Sequence, residues 1–202
     1  MFSGIIKDIG VITGIDQDGQ SKTFTIVSEL LNQIEIDHSV AHNGICLTVI
    51  SKTAKDYKVT AILETLNITN AKDWKVGSKI NLELALPMSA AMHGHLVLGH
   101  IEYQSRLLDI QKIEDNQFVL RFELDPVFNA LVQYKGSVTV DGVSLTVSHV
   151  NYNEHYFEVN IIPFTWHHTI FSQVHSGYIA NIEFDLIAKN LFHFYKVSQN
   201  LI

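Results

Sequence analysis

Along most of the chain, hydrophobic and polar positions alternate or run apolar for five to eight residues. The first half contains GVITGI, FTIVSE, ICLTVIS, YKVTAIL and KINLELAL; the second contains RLLDI, FVLRFEL, SVTV, VSLTVSHV, YFEVNII and ANIEFDL. Runs this short, rich in Ile, Val and Thr, predict β-strands. Turn signals lie between them, including Asp16 to Gly19, Asn43-Gly44, Val76 to Ser78 and Asp141-Gly142. A glycine in such a pair takes positive φ without a Cβ clash. Two short stretches predict helical turns, Glu29 to Gln33 and Asp125 to Tyr134, the second with Asp125 as cap and Pro126 in the first turn. From residue 186 onward Ile187, Ala188, Leu191, Phe192 and Tyr195 share one side of a helix. That face packs either on another subunit or back on its own barrel.

The strand series occurs twice. SVAHNGICLTV at 39–49 and SVTVDGVSLTV at 137–147 agree at six of eleven positions, where average residue usage gives about one. Gly77/Gly177, Asn81/Asn181 and Glu83/Glu183 follow in register, as do Thr65/Thr165 and Thr69/Thr169, and upstream Gly4/Gly99 and Ile6/Ile101. The chain is a tandem duplication of a unit of about 90 residues. PMSAAMHGHLV at 87–97 reads as the connector. Six strands per unit predict an all-β protein of two small closed antiparallel barrels, with units at 1–94 and 95–186 and a C-terminal helix at 187–202.

Composition narrows the function. Of the 202 residues 47% are hydrophobic and 17% charged, so the chain folds. With 14 Lys and Arg against 21 Asp and Glu, the net charge of −7 disfavours nucleic acid and anionic membranes. A single cysteine, the lack of a signal-peptide pattern and the lack of a long apolar run lead to the expectation of a cytoplasmic protein. His93, His95 and His100 lie close in sequence, the first two expected on one face of a strand, but no Asp or Glu accompanies them at ligand spacing, and no metal is expected. Cys46 and Ser144 occupy equivalent positions after equivalent turns, and Thr48 and Thr146 follow two residues on. Each pair therefore shares one barrel face. They are either small core fillers or a pair of related sites.

The motifs MF-x-GI, NGICLTV, ETLNITN, VGSKINLE, GHLVLGH, YKGSVTVDGVSLTV, IIP-x-T and ANIEFD, in this order, resemble the riboflavin synthase family over nearly the whole chain. The resemblance implies two six-stranded Greek-key barrels and a homotrimer held by the C-terminal helix. It also implies two molecules of 6,7-dimethyl-8-ribityllumazine meeting between barrels of neighbouring subunits, one giving a four-carbon unit to the other, with no cofactor. Association with lumazine synthase is a further partner it suggests.

By the same resemblance Phe2, Gly4, Ile5 and Ile6 contact the ring held by the opposing barrel, as do Gly99, His100 and Ile101. Cys46, Leu47 and Thr48 line the first pocket with Thr60, Ala61, Ile62, Leu63, Glu64 and Thr65. Ser144, Leu145, Thr146 and Lys135 line the second with Asn160, Ile161, Ile162, Pro163, Phe164 and Thr165. Ser39, His95 and Asp185 match polar residues near the site. His100 is the expected proton shuttle, with Ser144 and Thr146 orienting or relaying. Cys46 lines the pocket or acts covalently, and Lys135 and Asp185 hold charge or the ribityl group. The chain departs from the family pattern at Leu84, His93, Leu98, Phe164, Trp166 and His167. The alternative activity is that of a fluorescent relative that binds lumazine or flavin without turnover; retention of Cys46, Ser144, Thr146, His100 and Lys135 favours the enzyme.

Overall fold

The computed structural model describes residues 1–200, and twelve strands form two closed barrels. In the first, β1 (Asp8–Asp18), β2 (Ser21–Val27), β3 (Ser39–His42), β4 (Ile45–Lys52), β5 (Tyr57–Ala61) and β6 (Lys79–Leu84) close in the order β1-β2-β5-β4-β3-β6. The second repeats that order with β7 (Tyr103–Lys112), β8 (Phe118–Glu123), β9 (Ser137–Val140), β10 (Val143–Asn151), β11 (Tyr156–Ile161) and β12 (Ile179–Phe184). Every paired strand is antiparallel, as the strand pattern predicts, and the strand order is the Greek key that the resemblance implies. Register shifts recur at matching places, between Ile12 and Gly14 and between Leu107 and Asp109, and again in β4 and β10. Such bulges bend long strands enough to close a small barrel.

Alternation decides what each barrel buries. In β4, Ile45, Leu47 and Val49 point inward while Cys46, Thr48 and Ile50 face out. Phe24, Tyr57 and Trp74 help fill the first core, and Phe122, Phe157 and Phe184 the second. The expected strands at 57–63 and 156–162 stop at Ala61 and Ile161, because short helices α1 (Leu63–Ile68) and α2 (Pro163–His167) begin there. Thr69 and Thr169 then donate back to the carbonyls of Thr65 and Thr165 and accept the amides of Ala71 and Phe171, which accounts for both threonine pairs in the repeat. Glu29–Gln33 is a 3-10 turn as expected, capped by Ser28; the second turn is shorter than expected, Pro126–Leu131, capped by Asp125.

The barrels meet at a pseudo-twofold contact. The Asn81 amide group donates to the Asp141 carbonyl and that of Asn181 to the Asn43 carbonyl, both at 2.9 Å. The side-chain oxygens of the same two asparagines accept the backbone amides of Ile170 and Asn70. The Asn81/Asn181 repeat is thus an interface device.

Helix α3 (Leu186–Ser198) follows the second barrel, and residues 201–202 of the expected 187–202 helix lie outside the described residues. Ala188, Leu191 and Phe192 line a groove with Ala130 and Leu131 of their own barrel, while Ile187, Leu191, Phe194 and Tyr195 stay more than half exposed. The helix thus lies partly back on its own barrel and leaves the rest of its apolar face exposed.

Candidate active site

The site is built from two segments that each reach across to the other barrel. The chain start and residues 98–101 are both gripped by a glutamate. Glu83 accepts the Ser3 amide and hydroxyl at 2.7 Å and the Gly4 amide at 2.9 Å. Glu183 accepts the amides of Leu98, Gly99 and His100 at 2.8, 2.9 and 3.2 Å. Burial raises the pKa of both carboxyls, and the hydrogen bonds oppose that shift. Held in this way, Gly4 accepts the Ser144 amide in the second barrel and Gly99 accepts the Cys46 amide in the first. Ile6 packs on the second core and Ile101 sits inside the first. Gly4 and Gly99 are at φ +76° and +81°, and a Cβ there would lie 2.5 Å from Ser144 Cβ and 2.6 Å from Cys46 Cβ, so only glycine allows the approach.

A cleft of about 150 Å³ opens at the second crossing, lined by Gly4, Ile5, Ile6, Ser144, Phe164 and Thr165 among others. These are residues drawn from both halves of the sequence. Phe164 is 67% exposed at its rim and stacks on His168 with centroids 4.0 Å apart. Of its lining residues, Ser144 has its Oγ 2.6 Å from His95 Nδ1, and His95 Nε2 is 3.1 Å from Thr139 Oγ1. Burial lowers the His95 pKa while the charge of Asp185 raises it, and the net shift is downward, so the ring is neutral near pH 7. The equivalent positions in the first barrel are Cys46 and Ala41, which cluster with Phe2 and Val97. Two related sites are chemically unequal, one polar and one apolar.

The structure does not bring all the expected residues together. His100 is exposed on the segment that crosses to Cys46, whereas the imidazole beside Ser144 in the same chain is His95. His93 and His95 do not share a strand face: residues 87–96 form no strand, His93 is exposed and His95 half-buried. Leu47, Ala61 and Ile161 turn their side chains into the cores, so a ligand on the outer face meets only their backbone. Ser39 lies opposite Thr48 across β3–β4, and Thr60 Oγ1 bonds Thr23 Oγ1 at 2.8 Å. Ile62, Leu63 and Glu64 are exposed at the start of α1 with Thr65 half-buried; Asn160 and Ile162 are exposed before α2 with Pro163 half-buried. Leu145 is half-buried against the second core. Lys135, at φ +64°, and Asp185, which caps α3, line the groove beneath that helix, while Thr146 is exposed on β10 opposite Ser137. Among the described residues no three His, Cys, Asp or Glu side chains converge as a metal site, and no helix is long and apolar enough to cross a membrane.

Glu83, Glu183 and Thr139 were not expected at the site. The glutamates stand in the repeat register, and Thr139 stands where the repeat changes from Ala41 to a hydroxyl. Both signals are visible in the aligned halves.

Fold and site together define a tandem barrel protein with two paired, non-identical surface sites. The lumazine binding domain family matches twice, at residues 3–85 and 98–185. Riboflavin synthase of Bacillus subtilis (strain 168) is 36% identical, covering 99% of this chain and 93% of that protein. The enzyme of the same name from Escherichia coli (strain K12) is 34% identical, covering 92% and 87%. Crystal structures of LumP complexed with riboflavin and with 6,7-dimethyl-8-(1'-D-ribityl) lumazine superpose with TM-scores of 0.83 and 0.81 at 19% and 20% identity, each covering 91% of this chain and 99% and 98% of theirs. The chain belongs to the riboflavin synthase family.

Proposed function

We propose that the protein catalyses the dismutation of two 6,7-dimethyl-8-ribityllumazine molecules into riboflavin and 5-amino-6-(D-ribitylamino)uracil by transfer of a four-carbon unit. The two substrates already contain all the atoms of the two products, so the reaction itself calls for no external oxidant or reductant. What the protein must supply is alignment of two rings and management of protons. The lumazine C7 methyl is acidic because the carbanion left on its deprotonation delocalises into the ring, and a neutral hydrogen-bond donor beside that ring lowers the barrier. The observation that carries the reading is the inequality of the two crossings. Ser144 with His95 and Thr139 at one and Cys46 with Ala41 at the other suit two identical substrates that play different parts.

In this reading each unit, 1–94 and 95–186, holds one lumazine. The exposed stripe Ile187, Leu191, Phe194 and Tyr195 supports a homotrimer assembled through α3, in a cytoplasmic enzyme. Burying several large apolar side chains that are now in water favours such an assembly. Lys135 and Asp185 bind the ribityl or pyrimidine groups, and His100 acts on a ring brought by a neighbouring subunit. Purified protein mixed with the lumazine alone yields riboflavin, followed by its absorbance. Tight binding without turnover reassigns the chain to a chromophore carrier.

A further inference from the structure

The second barrel contains a hydrogen-bonded chain that the first lacks. His95 bridges two hydroxyls, Ser144 Oγ at 2.6 Å from Nδ1 and Thr139 Oγ1 at 3.1 Å from Nε2. Thr139 is fully buried on β9, directly across the ladder from Ser144 on β10. Its counterpart in the first barrel is Ala41, so nothing in the common fold requires a hydroxyl at this position. Nothing in the reaction touches Thr139 either.

The chain has a direction. Among the described residues the Thr139 hydroxyl makes no hydrogen bond except to His95. If Nε2 carried the imidazole proton, that ring would donate to Thr139 and leave the buried hydroxyl proton without an acceptor, at a cost of about 1–3 kcal/mol. If Thr139 donates instead, every buried proton has an acceptor. A neutral imidazole that accepts at Nε2 must carry its proton on Nδ1. Nδ1–H then donates to Ser144 Oγ, whose own O–H is free to point into the cleft among Gly4, Ile5 and Phe164. Each bond polarises the next.

We propose that Thr139 is a positioning residue that sets the tautomer of His95 and so makes Ser144 a hydrogen-bond donor, rather than a base, toward the ring bound in the second barrel. This rests on the riboflavin synthase reading for its substrate, but the tautomer does not. No proton passes along the chain; the three donors are aligned before substrate arrives and stabilise negative charge that develops on the ring after its methyl proton has left.

The test compares wild type with Thr139→Val, which keeps the shape and removes the hydroxyl, and Thr139→Ser, which restores it. Nitrogen-15 spectra of the imidazoles, with the His95 signals identified by their loss in His95→Gln, report which ring nitrogen is protonated. Wild type and Thr139→Ser should be protonated at Nδ1 alone, and Thr139→Val, which leaves Nε2 without a partner in either tautomer, should lose that strict preference and show a mixture of the two. Lumazine turnover should fall about tenfold in kcat for Thr139→Val with KM within about twofold, and recover in Thr139→Ser, as expected for loss of one hydrogen bond acting in the transition state. Thr139→Ala, which copies Ala41, replaces the valine variant if that one folds poorly. An Nε2–H tautomer in wild type, or equal impairment of the serine and valine variants, overturns the proposal. If wild type makes no riboflavin, the activity reading falls and the imidazole spectra alone decide the role of Thr139.

Discussion

The Gly4 carbonyl accepts the Ser144 amide at 2.8 Å, so the fourth residue of the chain completes a strand edge in the opposite barrel. Gly99 does the same for Cys46 at 2.9 Å. Each crossing joins a glycine at positive φ to a residue at the head of a candidate site, and each is clamped by a buried glutamate.

Gly4→Ala and Gly99→Ala should therefore damage the site more than the fold. Each added methyl lies within 2.6 Å of a neighbouring Cβ and sits on a backbone conformation that L-residues avoid. Displacing the segment costs about 1–3 kcal/mol of stability. Urea denaturation should show a loss of that size, and lumazine turnover should fall by a much larger factor than the lost stability explains. A variant with full activity would mean the crossing is not part of the site.

Much of this architecture is legible in the duplicated motifs, because a repeated pattern with period two leaves few topologies open. The strand series and the outward pairing of Cys46 with Thr48 follow from alternation. The exchange of segments does not. SGIIKD and LGHIEY match each other without saying that each packs on the other's barrel, a fact set by tertiary hydrogen bonds to Glu83 and Glu183. Proximity in sequence also misleads for the histidines. His95 and His100 are five residues apart, yet one lies beside Ser144 and the other on the segment crossing to Cys46, since the chain between them passes from one crossing to the other. Thr139 was hidden because an alternating strand is expected to bury an apolar residue there, as Ala41 does.

Two buried groups should give stability opposing dependences on pH. Asp141 accepts the Asn181 amide at 3.0 Å and the Asn70 side chain at 3.1 Å, faces Tyr178, and is pushed up to about 7 by burial. Unfolded, it titrates near ~3.9, so between about pH 4 and 7 the folded state holds a proton that the unfolded chain releases, and stability falls as pH rises by up to ~1.4 kcal/mol per unit. His42, buried against the Tyr57 hydroxyl, is lowered to about 4. The unfolded chain binds that proton below about pH 6.5, so its contribution is lost as pH falls. Asn43 already occupies the matching turn, which makes Asp141→Asn an isosteric probe. Denaturation at pH 4.5, 6 and 8 should find Asp141→Asn close to wild type at the acid end and increasingly more stable toward pH 8. Parallel profiles would place the proton elsewhere.

Phe164 sits where a planar ligand entering the cleft would meet its ring, already flattened against His168. Aromatic stacking adds about 0.5–1.5 kcal/mol beyond buried area. Phe164→Ala should raise KM for lumazine roughly 2- to 10-fold and leave kcat within about twofold, as loss of a contact made equally in the ground and transition states does. A fall in kcat at unchanged KM would move Phe164 from binding into the chemistry.

Helix α3 leaves Leu191, at the edge of the groove against its own barrel, and Phe194, three residues on, 65% and 69% exposed. Two charges placed there by Leu191→Glu with Phe194→Glu oppose burial in any subunit interface, since an unpaired buried carboxylate is strongly disfavoured. Neither side chain enters a barrel core and both are more than half exposed, so the thermal midpoint of the isolated chain should change by only a few degrees, as surface changes of about 0.5 kcal/mol do. Sedimentation velocity should show a trimer for wild type and a monomer for the double variant. On the proposed arrangement, with the two lumazines reacting between barrels of neighbouring subunits, riboflavin formation should disappear with the trimer while each monomer still binds lumazine. An unchanged assembly with full turnover would place the subunit seam away from this helix, and a monomer with full turnover would place both reacting rings within one chain.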